Sequence, residues 1–135
     1  MPRRKQPPTI LVIKHDDDLR ATLCQWLREA GFEAIGEPNV HSGLSRVLLR
    51  EHTTKPIDGV LLSMKLGRFE SLLALSEFQK THPSMPVVVM AGDERSGLIE
   101  DTMRLGALGH LHAPFDRDAF KRKCSVFFSD PDPPD

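Results

Sequence analysis

The stretch ILVIKHDDDLRATLCQWLREAG, residues 10–31, decides the fold. It opens on a continuously apolar run, Ile10 to Ile13. Such a run reads as a parallel strand covered on both faces, because a half-exposed strand would alternate. Asp16, Asp17 and Asp18 follow. Acidic side chains are favourable where a helix begins, since the first turn leaves its N–H groups unpaired. Leu19, Leu23, Trp26, Leu27 and Ala30 then recur at helical spacing, which predicts a helix with one apolar stripe. Gly31 fits its C-terminal stop.

The same unit repeats outward along the chain. Glu33–Gly36 reads as a weak strand. A helix begins at Ser42, with Val40, Leu44, Val47 and Leu48 toward the core. Pro56 and Asp58-Gly59 punctuate the chain before a strand at Val60–Leu62. A loop through Gly67 leads to a third helix carrying Phe69, Leu72, Leu73, Leu75 and Phe78. Pro83 and Pro86 bracket a turn into the apolar strand Val87–Met90, and Gly92-Asp93-Glu94 reads as loop. Leu98, Ile99, Thr102, Met103 and Leu105 predict a fourth helix, ended by Gly106 or Gly109. Leu111 marks a short fifth strand, which Pro114 breaks. Asp116 starts a last helix that buries Phe120, Cys124 and Phe127. Strands alternating with helices call for an α/β fold, a parallel sheet with right-handed crossovers and helices on both faces.

The 135 residues suffice for one compact domain and are too few for two ordinary ones. Residues 9–128 are expected to form it. Residues 1–8, basic and proline-rich, are a flexible lead-in, and residues 129–135, SDPDPPD, a flexible acidic tail. The end near residue 128 is either a natural terminus or a cut within a longer protein. With 18 basic and 19 acidic side chains the net charge is -1, which gives no global argument for nucleic-acid binding. No apolar run approaches the roughly 18 residues of a membrane span. The N-terminal segment lacks the apolar stretch of a secretory signal, so a cytoplasmic location is expected. Cys24 and Cys124 stand far apart without a CxxC partner and read as reduced thiols in or near the core; a disulfide or redox role is the alternative.

At this point the chain resembles a bacterial response-regulator receiver domain. ILVIKHDDDLRATLCQWLREAGFEA is similar to the opening of that family. DGVLLSMKLGRFESLLAL resembles its central strand, loop and third helix, and PVVVMAGD and GALGHLHAPF its last two strands. The similarity covers about residues 9–128. It implies a flavodoxin-like, doubly wound sheet of order 2-1-3-4-5 in a three-layer α/β/α sandwich. It also implies phosphoryl transfer from a partner histidine kinase to an aspartate, using Mg²⁺ held by acidic residues after the first strand, a Ser or Thr after the fourth, and a Lys before a Pro after the fifth.

Residue by residue, this chain departs from that pattern. The acidic pair falls on Lys14 and His15, the acceptor on Ser63, the Ser/Thr on Ala91, and the lysine on Ala113, before a retained Pro114. Gly67 replaces the proline common after the acceptor. His110 takes the place of the aromatic residue on the fifth strand. Asp16 matches the third acidic position, but one carboxylate substitutes poorly for the whole site, and Lys14 opposes a cation by like-charge repulsion. Lys14 could instead supply part of the missing charge by pairing with Asp16. A seryl hydroxyl is a weak nucleophile without a base; residual modification at Ser63, assisted by His15, is the lesser alternative. Mg²⁺ is therefore not expected, and no phosphorylation and no enzyme activity are expected either. The expectation is a pseudo-receiver, acting by phosphorylation-independent protein interaction or self-association. The alternative is sensing of a small anionic ligand through Lys14 and His15.

The remaining signals are weaker. Of the six histidines, His15, His110 and His112 lie near strand ends, which invites a metal. His110 and His112 are expected on opposite faces of the sheet, and no Cys or carboxylate gives them a zinc spacing, so ordinary histidines are preferred. Asp16-Asp17-Asp18 lacks the spaced oxygen ligands of a calcium loop, and Gly92, Gly97, Gly106 and Gly109 form no dinucleotide cradle; no cofactor is expected. The last helix carries Arg117, Lys121, Arg122 and Lys123. They make either a solvated face or a docking face. By the resemblance, a docking face would use the fourth helix, fifth strand and fifth helix through Met103, Arg104, His110, Arg117 and Lys121. It would meet a protein partner or a second copy, with an output domain attached in a longer protein. DNA recognition is not expected, since no recognition helix, zinc motif or aromatic platform accompanies the charges.

Overall fold

The computed structural model describes residues 7–66, 68–92 and 96–129. Gly67, Asp93, Glu94, most of the lead-in and all but Ser129 of the tail lie outside them. The elements run β1 (Thr9–Ile13), α1 (Asp17–Glu29), β2 (Glu33–Glu37), α2 (Val40–Arg50), β3 (Gly59–Ser63), a short 3-10 turn (Met64–Leu66), α3 (Arg68–Thr81), β4 (Val87–Ala91), α4 (Ser96–Arg104), β5 (Gly109–His112) and α5 (Arg117–Phe128). The five strands form one parallel sheet in the order β2-β1-β3-β4-β5, the doubly wound arrangement that the alternation and the resemblance predict.

Strand periodicity divides the core. Leu11, Ile13, Val60, Leu62, Val87 and Val89 point to the side covered by α2, α3 and α4. Ile10, Val12, Leu61, Val88, Met90 and Leu111 point to the side covered by α1 and α5. Both faces are buried, and the physical consequence is the uninterrupted apolar run in β1, β3 and β4. β2 is an edge strand of half-buried residues, which explains its weak signal and the one extra residue, Glu37, that pairs with Ile13.

Helix starts follow local chemistry. The Asp16 carboxylate accepts from the N–H of Leu19 at 2.8 Å, and that of Asp116 from Ala119 at 2.9 Å, as the sequence predicts. At α2 the cap is Asn39, accepting from the N–H of Ser42 at 2.8 Å, so the helix begins before the expected Ser42. Gly106, at φ +103°, follows α4, whereas Gly109 lies inside β5.

Two core expectations are corrected. Leu48 is 60% exposed. The buried line of α2 is Gly43 and Val47, because the missing side chain of Gly43 admits Ile13: a Cβ there would sit 2.5 Å from Ile13 Cδ1. That close approach leaves Leu48 turned away from the sheet, where it lines a groove between α2 and α3. On α5 the buried third residue is Phe128 rather than Phe127. Phe128 lies over Gly59 and meets Phe32 edge-on at 6.4 Å, while half-buried Phe127 covers Gly109.

Candidate functional site

The C-terminal ends of β1, β3, β4 and β5 assemble Lys14, Ser63, Ala91 and Ala113 at one end of the sheet. Lys14 follows β1 directly and is buried; its N–H donates to Glu37 O at 3.1 Å, closing the end of β2. Lys14 comes one residue beyond the Ile13–Leu62 pair, level with the end of β3. His15 and Asp16 are exposed. The Asp16 carboxylate is occupied in capping α1.

Ser63 is 1% exposed. Its hydroxyl oxygen accepts the N–H of Lys65 at 3.1 Å, and its carbonyl accepts the buried Ser71 hydroxyl at 2.9 Å. The side chain therefore shapes the turn into the 3-10 segment, as Ser does in local side-chain-to-backbone turns. No hydrogen bond joins it to His15 among the described residues. Ala91 and Ala113 are brought together by the backbone, Ala113 N donating to Ala91 O at 2.7 Å, and the Ala113–Pro114 peptide is cis.

One participant escapes the sequence reading. Arg20, a turn into α1, reaches back so that its guanidinium donates to Lys14 O at 2.9 Å and His15 O at 3.4 Å and pairs with Asp17 at 2.7 Å. Its aliphatic stem covers Gly36, where a Cβ would lie 3.0 Å from Arg20 Cδ. A fixed cation thus closes the β1–α1 loop. Only its place one turn inside a helix after an acidic cap hints at this.

The remaining named residues separate. Arg117 and Lys121 face α1, where they share the Glu29 carboxylate at 3.2 and 2.8 Å. The Lys121 hydrogen bond, helped by the neighbouring Gln25 and by the charge of Arg117, holds the Glu29 carboxyl below the usual range. Arg104 pairs with Asp101 at 3.2 Å and lies 3.9 Å from Glu100 on its own helix, beside exposed Met103. His110 instead shares a cavity of about 310 Å³ with Arg122, Lys123, Val126 and Phe127. His110 and His112 are on the same face of β5, rings 4.7 Å apart at 75°, which corrects the expectation of opposite faces: residues two apart on a strand share a side. Cys24 and Cys124 are unpaired and buried. Burial pushes the Cys124 thiol up to about 12 and raises Cys24 as well, which disfavours the reactive thiolate.

Residues 10–125 match the model of the response regulator receiver domain. The chain belongs to this family. Over 109 residues the receiver is 31% identical to the transcriptional regulatory protein PdtaR of Mycobacterium tuberculosis, an alignment spanning 81% of this chain and 51% of that protein. It is 26% identical over 117 residues to sporulation initiation phosphotransferase F of Bacillus subtilis, covering 84% and 90% of the two chains. The crystal structure of the receiver domain of NtrX from Brucella abortus superposes with a TM-score of 0.78 at 26% identity, covering 88% of this chain and 97% of that one. The receiver spans about half the length of PdtaR.

The family's magnesium ion requires oxygen ligands from carboxylates. Here Lys14 and His15 stand at the end of β1 and Asp16 is spent on its helix, so the residues present do not fit the ion. Among the described residues, no group of three or more His, Cys, Asp or Glu could hold a metal, and no helix is long and apolar enough to cross a membrane.

Proposed function

We propose that this receiver is a pseudo-receiver: a signal-transduction module that neither accepts a phosphoryl group nor acts as an enzyme, and that works by phosphorylation-independent protein interaction or self-association. The observation that carries the reading is Ser63. At the end of the central strand it offers a buried hydroxyl already accepting a backbone N–H, beside Lys14 in place of a carboxylate. The test is intact mass after incubation with a small phosphodonor and Mg²⁺. The expected mass is unchanged; stoichiometric phosphorylation overturns the reading.

The docking surface in this proposal is formed by α4, β5 and α5. Met103, Leu105, Leu108 and Val126 are exposed apolar residues there, with Arg122 and Lys123 beside His110. The partner is a protein or a second copy, and the output domain belongs to the same proposal. Reversing charge at Arg104 and Lys121 separates two contributions, since Lys121 also holds α5 to α1 through Glu29. Partner binding unchanged in a folded double variant counts against this surface. The pairing of buried Lys14 with exposed His15 at one strand end supports a second reading, sensing of a small anion; it predicts a saturable thermal shift with an anionic metabolite.

A further inference from the structure

The two imidazoles of β5 lie closer than their backbone requires. Residues two apart on a strand are separated by about 6.6 Å along the chain. The His110 and His112 rings nevertheless approach to 4.7 Å between centroids, edge to face, on one side of the strand. Two imidazoles sharing a tetrahedral zinc ion, with Zn–N bonds of about 2.1 Å, place their centroids about 5 Å apart. The observed edge-to-face spacing is close to that of a ligand pair and brings both imidazoles to one side of the strand.

We propose that His110 and His112 form half of a site for a divalent transition metal of the zinc class, completed by the same pair from a second copy of this chain. Protein-held zinc with nitrogen ligands is four-coordinate. No third His, Cys, Asp or Glu joins the pair among the described residues, so one chain fills only half of the positions. β5 is the outermost strand of the sheet, with no strand beyond it to block a second copy. Leu108, just before β5, is 49% exposed, and Val126, on the cavity that His110 lines, is 78% exposed, giving apolar surface for the pair to bury. His110 Nδ1 is buried, so Nε2 is the ring nitrogen left for an ion shared with a second copy.

The charges nearby set the limits of the site. Arg122 and Lys123 line the same cavity and oppose a dication. Both are exposed, so salt screens them over about 8 Å, whereas the coordinate bonds to imidazole are not screened. The absence of a carboxylate selects against Mg²⁺ and Ca²⁺, which take oxygen ligands, and favours Zn²⁺, Ni²⁺ or Cu²⁺. The site rests on the self-association part of the proposed function and gives it a metal requirement; it is independent of the phosphoryl chemistry.

The test is Zn²⁺ calorimetry together with sedimentation velocity on the whole chain. The expected result is one ion per two chains and a doubling of mass that a chelator reverses, with no response to Mg²⁺. His112 is exposed, so His112→Ala should keep the metal-free melting temperature while weakening zinc binding about tenfold or more and abolishing the dimer. His41→Ala and His52→Ala, at exposed histidines elsewhere, should leave both intact. An unchanged zinc response in His112→Ala, one ion per chain without association, or no response to zinc overturns the site. A metal-free dimer indifferent to zinc also overturns it, while leaving self-association itself standing.

Discussion

The hydroxyl oxygen of Ser63 accepts the backbone N–H of Lys65 at 3.1 Å. A side chain at the end of the central strand thus holds a turn. Replacing it by alanine leaves that N–H without its partner. Ser63→Ala should therefore cost about 1 kcal/mol, read from urea denaturation. Ser63→Asp should still take no phosphoryl group by intact mass, since Lys14 and His15 supply no carboxylates for a cation, and Ala91 and Ala113 supply neither a hydroxyl nor an amine for phosphoryl oxygens. Phosphorylation of that single variant would refute the view that the surrounding residues block the chemistry.

Arg20 closes the β1–α1 loop by donating to Lys14 O at 2.9 Å. Its pair with Asp17 contributes little, because Asp17 is 83% exposed. The carbonyl bonds and the cover over Gly36 carry the effect. Arg20→Ala should lower stability by about 1 kcal/mol, and Asp17→Asn by much less. Equal losses in the two variants would place the effect in the ion pair instead.

Gly59 is a position where the sheet and α5 nearly touch. A Cβ there would lie 2.5 Å from Phe128 Cδ1 and 3.2 Å from Ile10 Cδ1. Gly59→Ala should destabilise by about 1–3 kcal/mol through overpacking. Gly59→Ala combined with Phe128→Leu should recover part of that loss in thermal melts. A single variant as stable as the parent would show that α5 shifts without cost.

Glu29 links α1 to α5 through Lys121 and Arg117, and its carboxyl is held below the usual range, first by the Lys121 hydrogen bond. A carboxyl depressed by folding stabilises the fold above its unfolded value, about 4.3, and loses that contribution as pH falls through the folded value. Glu29→Gln should thus lower the neutral plateau of the melting-temperature profile slightly, leave its acid end unchanged, and so flatten the acid limb between them. An unchanged acid limb would mean that other carboxylates govern it.

The legible part of the molecule is local or periodic. The caps at Asp16 and Asp116, the apolar strands β1, β3 and β4, and the helical stripe of α1 depend on neighbours within one or two turns, so residue order announces them. The strand-end residues Lys14, His15, Ser63, Ala91 and Ala113 were legible for the same reason, once the resemblance supplied a register.

What only the tertiary structure decided involves groups distant in sequence. Whether Leu48 or Val47 faces inward depends on Gly43 meeting Ile13, and whether Phe127 or Phe128 is buried depends on two glycines in strands that α5 covers. Both aromatic choices satisfy the helical period equally well; close packing breaks the tie. The separation of Arg117 and Lys121 from His110 follows from Glu29, a carboxylate on another helix. The sequence by itself determined a doubly wound receiver with Lys14, Ser63, Ala91 and Ala113 at its strand ends, because periodicity and chain order are written in it. The tertiary structure decided what particular side chains do: Phe128 seats over Gly59, Arg20 covers Gly36 of β2 while closing the β1–α1 loop, and Lys121 reaches Glu29 on α1, each by a contact that exists only once separate segments meet.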